Sequence, residues 1–142
     1  MTGMKSDRKI AIVRTTVASK REAQKLAALI LAKHLGACIQ TAPVKSFYRW
    51  RGKTESADEF LVSVKTNSRT AAKLTAFIKN NHSYELPEII VTSAGADPDY
   101  ARWVAGEMKL PTRSKLRGIP WPTRVVSGRL AKEDKMPLPD KR

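Results

Sequence analysis

An α+β domain of the ferredoxin-like, split βαβ type is predicted for this 142-residue chain by three observations. Short β-rich runs alternate with two amphipathic helical stretches in the order β-α-β-β-α-β. A capping box and an Asp-Pro pair mark helix starts, and a Gly near residue 52 sits between two runs that read as a long hairpin. The expected product is a four-stranded antiparallel sheet with two helices on one face, followed by a terminal helix. The other face must then be solvated or covered by a partner.

Lys9-Ile10-Ala11-Ile12-Val13-Arg14-Thr15-Thr16 reads as the first strand. Ser19-Lys20-Arg21-Glu22 fits a capping box, and Ala23, Leu26, Ala27, Ile30 and Leu31 follow at helical spacing. Gly36 is placed to close this helix in a left-handed conformation. Residues 37–42 form a second strand, which Pro43 should interrupt because proline cannot donate to a ladder. The chain resumes through Ser46-Phe47-Tyr48-Arg49-Trp50, turns near Gly52 and returns as residues 59–66. Ser68 is the expected cap of a second helix, with Ala72, Leu74, Ala76, Phe77 and Ile78 as its apolar positions. Residues 89–94 make a fourth strand, and Asp97-Pro98 opens a third helix.

Composition sets the class. The chain is 42% hydrophobic and 28% charged, and no apolar run approaches the roughly 20 residues that cross a bilayer. A soluble protein with no membrane partner is expected, with the cytoplasm as the default compartment. The single cysteine, Cys38, provides neither a disulfide pair nor zinc-site spacing. With 27 basic against 13 acidic residues the net charge is +14, which favours anionic partners, nucleic acid among them. The excess is spread along the chain without a solid basic block, and charge alone does not make a nucleic-acid site. Three regions are expected: a tail over 1–8, a domain over 9–106, and a basic extension over 107–142 punctuated by five prolines. In the extension, residues 116–130 carry enough apolar side chains to dock on their own subunit or a neighbour, whereas 132–142 should be mobile.

The densest chemistry lies in His82-Ser83-Tyr84-Glu85-Leu86-Pro87-Glu88, an imidazole, a phenol and two carboxylates just ahead of a strand. Loops on a rigid scaffold are where binding groups collect. His82 is the leading metal-ligand candidate, with Glu85 and Glu88 able to turn toward the same point. The competing role for His82 is to end the second helix, with the glutamates in ion pairs. Cys38 is a soft donor suited to Cu(I), against the common role of a cysteine in an apolar strand as a small buried hydrophobe. His34, late in the first helix, reads as a surface group favouring the helix dipole. No Ser/His/Asp pattern, phosphate-cradling Gly-rich loop or metalloprotease motif occurs, so catalysis is not expected.

Seven segments in order and spacing carry a resemblance: Thr15-Thr16; Leu35-Gly36-Ala37-Cys38-Ile39; Ser46 through Lys53; Glu59; Lys65-Thr66; His82 through Ile89; and Tyr100-Ala101-Arg102-Trp103-Val104. Over roughly residues 9–106 the chain resembles the CutA family of divalent-cation tolerance proteins. It departs at Ser83, where the family usually has proline, and at Gln40, and its extension is not part of the usual core. The resemblance implies a homotrimer whose hairpins pair with neighbouring subunits. It also implies a cleft between subunits gathering Tyr48, Trp50, Lys65, Tyr84, Glu85, Glu88 and Trp103, and a link to copper and other divalent cations. Binding of divalent metal ions, copper first, is therefore the leading functional expectation. A trimeric sensor like the PII signalling proteins, holding a small anionic ligand against Lys65, is the alternative. A nucleic-acid-binding protein using its basic surface and arm is the third.

Overall fold

A computed structural model of the chain describes residues 9–109. The expected tail over 1–8 and all of the extension beyond 109 lie outside the described residues. The elements are β1 (Lys9–Val17), α1 (Lys20–Ala32), β2 (Cys38–Trp50), β3 (Lys53–Thr66), α2 (Ser68–Asn80), β4 (Ile89–Gly95) and α3 (Pro98–Glu107). They build one antiparallel sheet in the order β2-β3-β1-β4, the arrangement the element order predicted.

On one face, Ala11, Val13 and Val17 of β1 and Val62 and Val64 of β3 pack against Ala23, Leu26 and Ile30 of α1 and Ala71, Leu74 and Ile78 of α2. The period-2 burial of the strands meets the apolar stripe of each helix, which is why these segments take these states. The opposite face is partly covered by α3, whose Ala101 and Val104 pack on Ile10, with Ile12, Ala37 and Ala94 beside them. The terminal helix thus does some of the covering that the sequence left to solvent or a partner.

Local expectations fare unevenly. Ser19 caps α1 by accepting from Glu22 N–H at 3.1 Å, and Glu22 Oε2 reaches back to Ala18 N–H at 3.3 Å. At α2 the cap is Asn67, whose side chain accepts from Thr70 N–H at 2.8 Å, one residue before the expected Ser68. Ala72 and Ala76, expected in the core, are exposed; Ala71, Leu74 and Ile78 are the buried positions. Pro43 does not interrupt β2, which pairs continuously from Cys38↔Lys65 to Trp50↔Lys53 with Pro43 opposite Phe60. Because β2 is an edge strand, its missing N–H can face outward from the ladder at no cost in pairing.

Gly36 has a different purpose from the one expected. The left-handed residue after α1 is His34, at φ 55°. Gly36 is needed for close approach, since a Cβ there would stand 2.4 Å from Val64 Cγ1 and 2.9 Å from Ile30 Cγ2. His34 is also more than a surface group, because its Nδ1 lies 2.9 Å from the Glu107 carbonyl and ties α1 to the end of α3.

The hairpin is longer than the sheet. β1 pairs with β3 only up to Val17↔Phe60, so residues 44–50 and 53–59 form a two-stranded arm beyond it. Arg51 and Gly52, at φ 52° and 80°, close the arm in a tight two-residue turn that matches strand twist. A two-stranded ribbon is marginal alone, and Phe47 on this one is 72% exposed.

Candidate functional site

The loop from His82 to Glu88 folds over the base of the arm, and its outer part brings two of the sequence-selected clusters together. Tyr48 and Trp50 of β2 meet Leu86, Pro87 and Glu88 around a cavity of about 300 Å³. Arg51 stacks over the Trp50 ring, 5.6 Å from its centroid. Glu85 and Glu88 are exposed at this end of the molecule.

The inner part of the loop is sealed. Tyr84 is buried, and its hydroxyl donates to Glu59 Oε1 at 3.0 Å. Ser46 donates to Glu59 Oε2 at 2.6 Å, so both carboxylate oxygens are held although Glu59 is only 2% exposed. Burial, with the Glu59 carboxylate next, pushes the Tyr84 phenol far above its ordinary value. Glu22 is equally buried nearby, and its charge adds to the same shift. The capping box assigns Glu22 to the helix start, and Glu59 enters only through the resemblance. A glutamate directly ahead of the apolar run Phe60-Leu61-Val62 was the available signal.

His82 belongs to this sealed part. Its Nδ1 accepts the Tyr84 N–H at 3.0 Å, which fixes the proton on Nε2. Nε2 then donates to the Thr16 carbonyl at 2.8 Å, with Thr15 Oγ1 at 3.1 Å. In this arrangement neither ring nitrogen offers a lone pair to a metal. The ring lies tilted against Tyr84, with centroids 4.8 Å apart. No group of three or more His, Cys, Asp or Glu side chains able to hold a metal occurs among the described residues. His82, Cys38, Glu85 and Glu88 are therefore not gathered into one centre within the subunit.

The remaining cleft candidates stand elsewhere. Cys38 is the cross-strand neighbour of Lys65, whose ammonium donates to Gln40 Oε1. Burial first, and then the neighbouring Cys38, raises the Tyr100 phenol above its usual value. Trp103 lies tilted against Tyr100, with ring centroids 5.6 Å apart. Because Tyr48 pairs with Glu55, Lys65 lies ten residues further along β3, roughly 33 Å at the usual strand rise. One subunit thus carries two half-clusters: Tyr48, Trp50 and Glu88 at the arm, and Cys38, Lys65 and Trp103 beside α3.

The comparisons with known proteins agree with this fold. The family model described as CutA1 divalent ion tolerance protein matches residues 11–107. "Protein CutA" of Mus musculus is 34% identical over 91 residues, covering 63% of this chain and 51% of that protein. "Divalent-cation tolerance protein CutA" of Archaeoglobus fulgidus is 43% identical over 72 residues, covering 51% of this chain and 71% of the other. The chain spans about half the length of the mouse and Arabidopsis thaliana relatives. Among solved structures, the periplasmic divalent cation tolerance protein CutA of Archaeoglobus fulgidus superposes with a TM-score of 0.69 at 33% identity, over 70% of this chain and 99% of that one. CutA1 of Oryza sativa does so at 0.69 and 29%, over 75% and 100%. No helix among the described residues is long and apolar enough to cross a membrane. With the family model spanning most of the described domain, the chain belongs to the CutA1 divalent-ion-tolerance family.

Proposed function

We propose that the protein is a cytoplasmic homotrimer that binds divalent cations, copper first among them, in a cleft between subunits, and that it serves tolerance of those ions by binding rather than by catalysis. The observation that carries this is the split of the site. Tyr48, Trp50 and Glu88 stand at one end of the hairpin and Cys38, Lys65 and Trp103 at the other, so only a neighbour can bring the two halves together. An arm with both faces beyond the sheet needs such a neighbour in any case. Exposed Glu85 and Glu88 supply carboxylates on one side, and Cys38 a soft donor on the other that suits copper. His82 enters such a site only if its loop opens.

Native mass measurement, combined with Cu(II) and Zn(II) titrations of the wild type, Glu88→Gln and Cys38→Ser, tests the reading. A trimer whose binding weakens in both variants supports a cleft shared between subunits. A wild type that is monomeric, or variants that bind as well as the wild type, defeats it. Fractionation of producing cells tests the compartment, since relatives include a protein named as periplasmic and others named as chloroplastic. Lys65, brought by the same assembly beside Trp50, keeps a small anionic ligand as the second reading. The nucleic-acid reading rests on net charge.

A further inference from the structure

A larger cavity lies away from the hairpin, at the other end of the sheet. It has a volume of about 550 Å³ and takes its basic lining from four places in the chain: Lys9 of β1, Arg69 of α2, Arg102 of α3, and Lys109 just after it. No acidic side chain lines it. Arg102 pairs with Asp99 one turn back, an exposed pair worth little, whereas Lys9, Arg69 and Lys109 have no acidic partner among the described residues.

Its floor is built rather than incidental. Ala101 and Met108 form part of the wall, and Met108 is fixed by the Thr66 hydroxyl, which donates to its Sδ at 3.1 Å. Four exposed basic side chains line one concavity with no acidic residue among them, a charge balance that attracts an anion. Two of the four are arginines, whose planar forks match phosphate oxygens in pairs. The rim also includes the first turn of α2, which carries no acidic side chain to compensate its positive end. The volume suits a small ligand rather than a bare ion.

We propose that this cavity is a binding site for a small phosphate-bearing anion of the diphosphate class, separate from the hairpin cleft. Arg69 and Arg102 grip the phosphate oxygens, while Lys9 and Lys109 neutralise the remaining charge.

Calorimetric titration of the full chain with inorganic pyrophosphate tests this, on the wild type, on Arg69→Gln with Arg102→Gln, and on Lys73→Gln with Lys79→Gln. The last pair removes the same charge from exposed positions of α2 that do not line the cavity. Saturable binding is expected, about tenfold weaker or more in the arginine double variant and unchanged in the lysine double variant. Absence of saturable binding overturns the proposal. Equal weakening in both double variants also overturns it, because the ion would then be answering diffuse charge. Loss in Trp50→Ala would move the site to the hairpin cleft and overturn it as well.

Discussion

The Tyr84 hydroxyl donates to Glu59 Oε1 at 3.0 Å across two side chains that are 5% and 2% exposed, pinning the 82–88 loop to the base of the arm. A carboxylate buried this deeply is tolerable only while its oxygens are supplied with donors, here Tyr84 and Ser46. Tyr84→Phe removes one donor without creating a cavity and is expected to cost about 1–3 kcal/mol of unfolding free energy. The pH dependence has a definite sign. The native state keeps the Tyr84 proton well past the ordinary value of 10.0, while the unfolded state releases it there. The stabilisation is therefore complete below that pH and drains away as the pH rises above it. Denaturant titrations from neutral to alkaline pH should show the gap between wild type and Tyr84→Phe narrowing above it, and a constant gap would contradict the arrangement.

Gly36→Ala should destabilise for steric reasons alone. The added methyl meets Val64 Cγ1 at 2.4 Å and Ile30 Cγ2 at 2.9 Å, both on fully buried side chains that have no room to retreat. A cost of about 1–3 kcal/mol is expected. Gly52→Ala offers the contrast, because nothing lies within 4 Å of the new Cβ and only the positive φ of 80° is penalised, by about 1–2 kcal/mol. Crystal structures of the two variants separate the causes: the first should show β3 or α1 displaced, the second an altered turn and an unmoved core.

The two candidate caps of α2 can be separated by equilibrium unfolding. Asn67→Ala deletes the acceptor held by Thr70 N–H and should cost about 1 kcal/mol. Ser68 is exposed and outside that bond, so Ser68→Ala should stay within about 0.5 kcal/mol of the wild type. The reverse order would restore Ser68 as the cap.

Features set within a few residues of each other were legible in the sequence. The Ser19–Glu22 cap and the Asp97-Pro98 helix start are local patterns, and both are present as read. β1 and the inner part of β3 are also strands as read, and the structure places their Val13, Val62 and Val64 inside. Nothing in residues 53–58 marks them as strand, because a ribbon standing clear of the sheet has no buried face to impose an apolar period. Glu59 could not be ranked as a buried anchor, since its donor arrives from 25 residues away. Gly36 looked like a helix terminator because its true constraint, contact with Val64, is equally non-local. The separation of the cleft into halves was within reach: placing the turn at Gly52 fixes the register, and the register alone puts Lys65 far from Tyr48.

His82 offers the sharpest test of what the loop does. With Nδ1 taken by Tyr84 N–H and Nε2 by the Thr16 carbonyl, its imidazole functions as a bracket between the loop and β1. His82→Ala strands both backbone groups in a buried setting, and a loss of about 2–4 kcal/mol is expected. Divalent-cation affinity of the folded variant should nevertheless change little, whereas Glu88→Gln should reduce affinity with little loss of stability, because Glu88 is exposed. Thermal unfolding and Cu(II) titration on the same samples decide the matter. If His82→Ala abolishes tight copper binding while remaining as stable as the wild type, the ring is a ligand and the loop must open to let it coordinate.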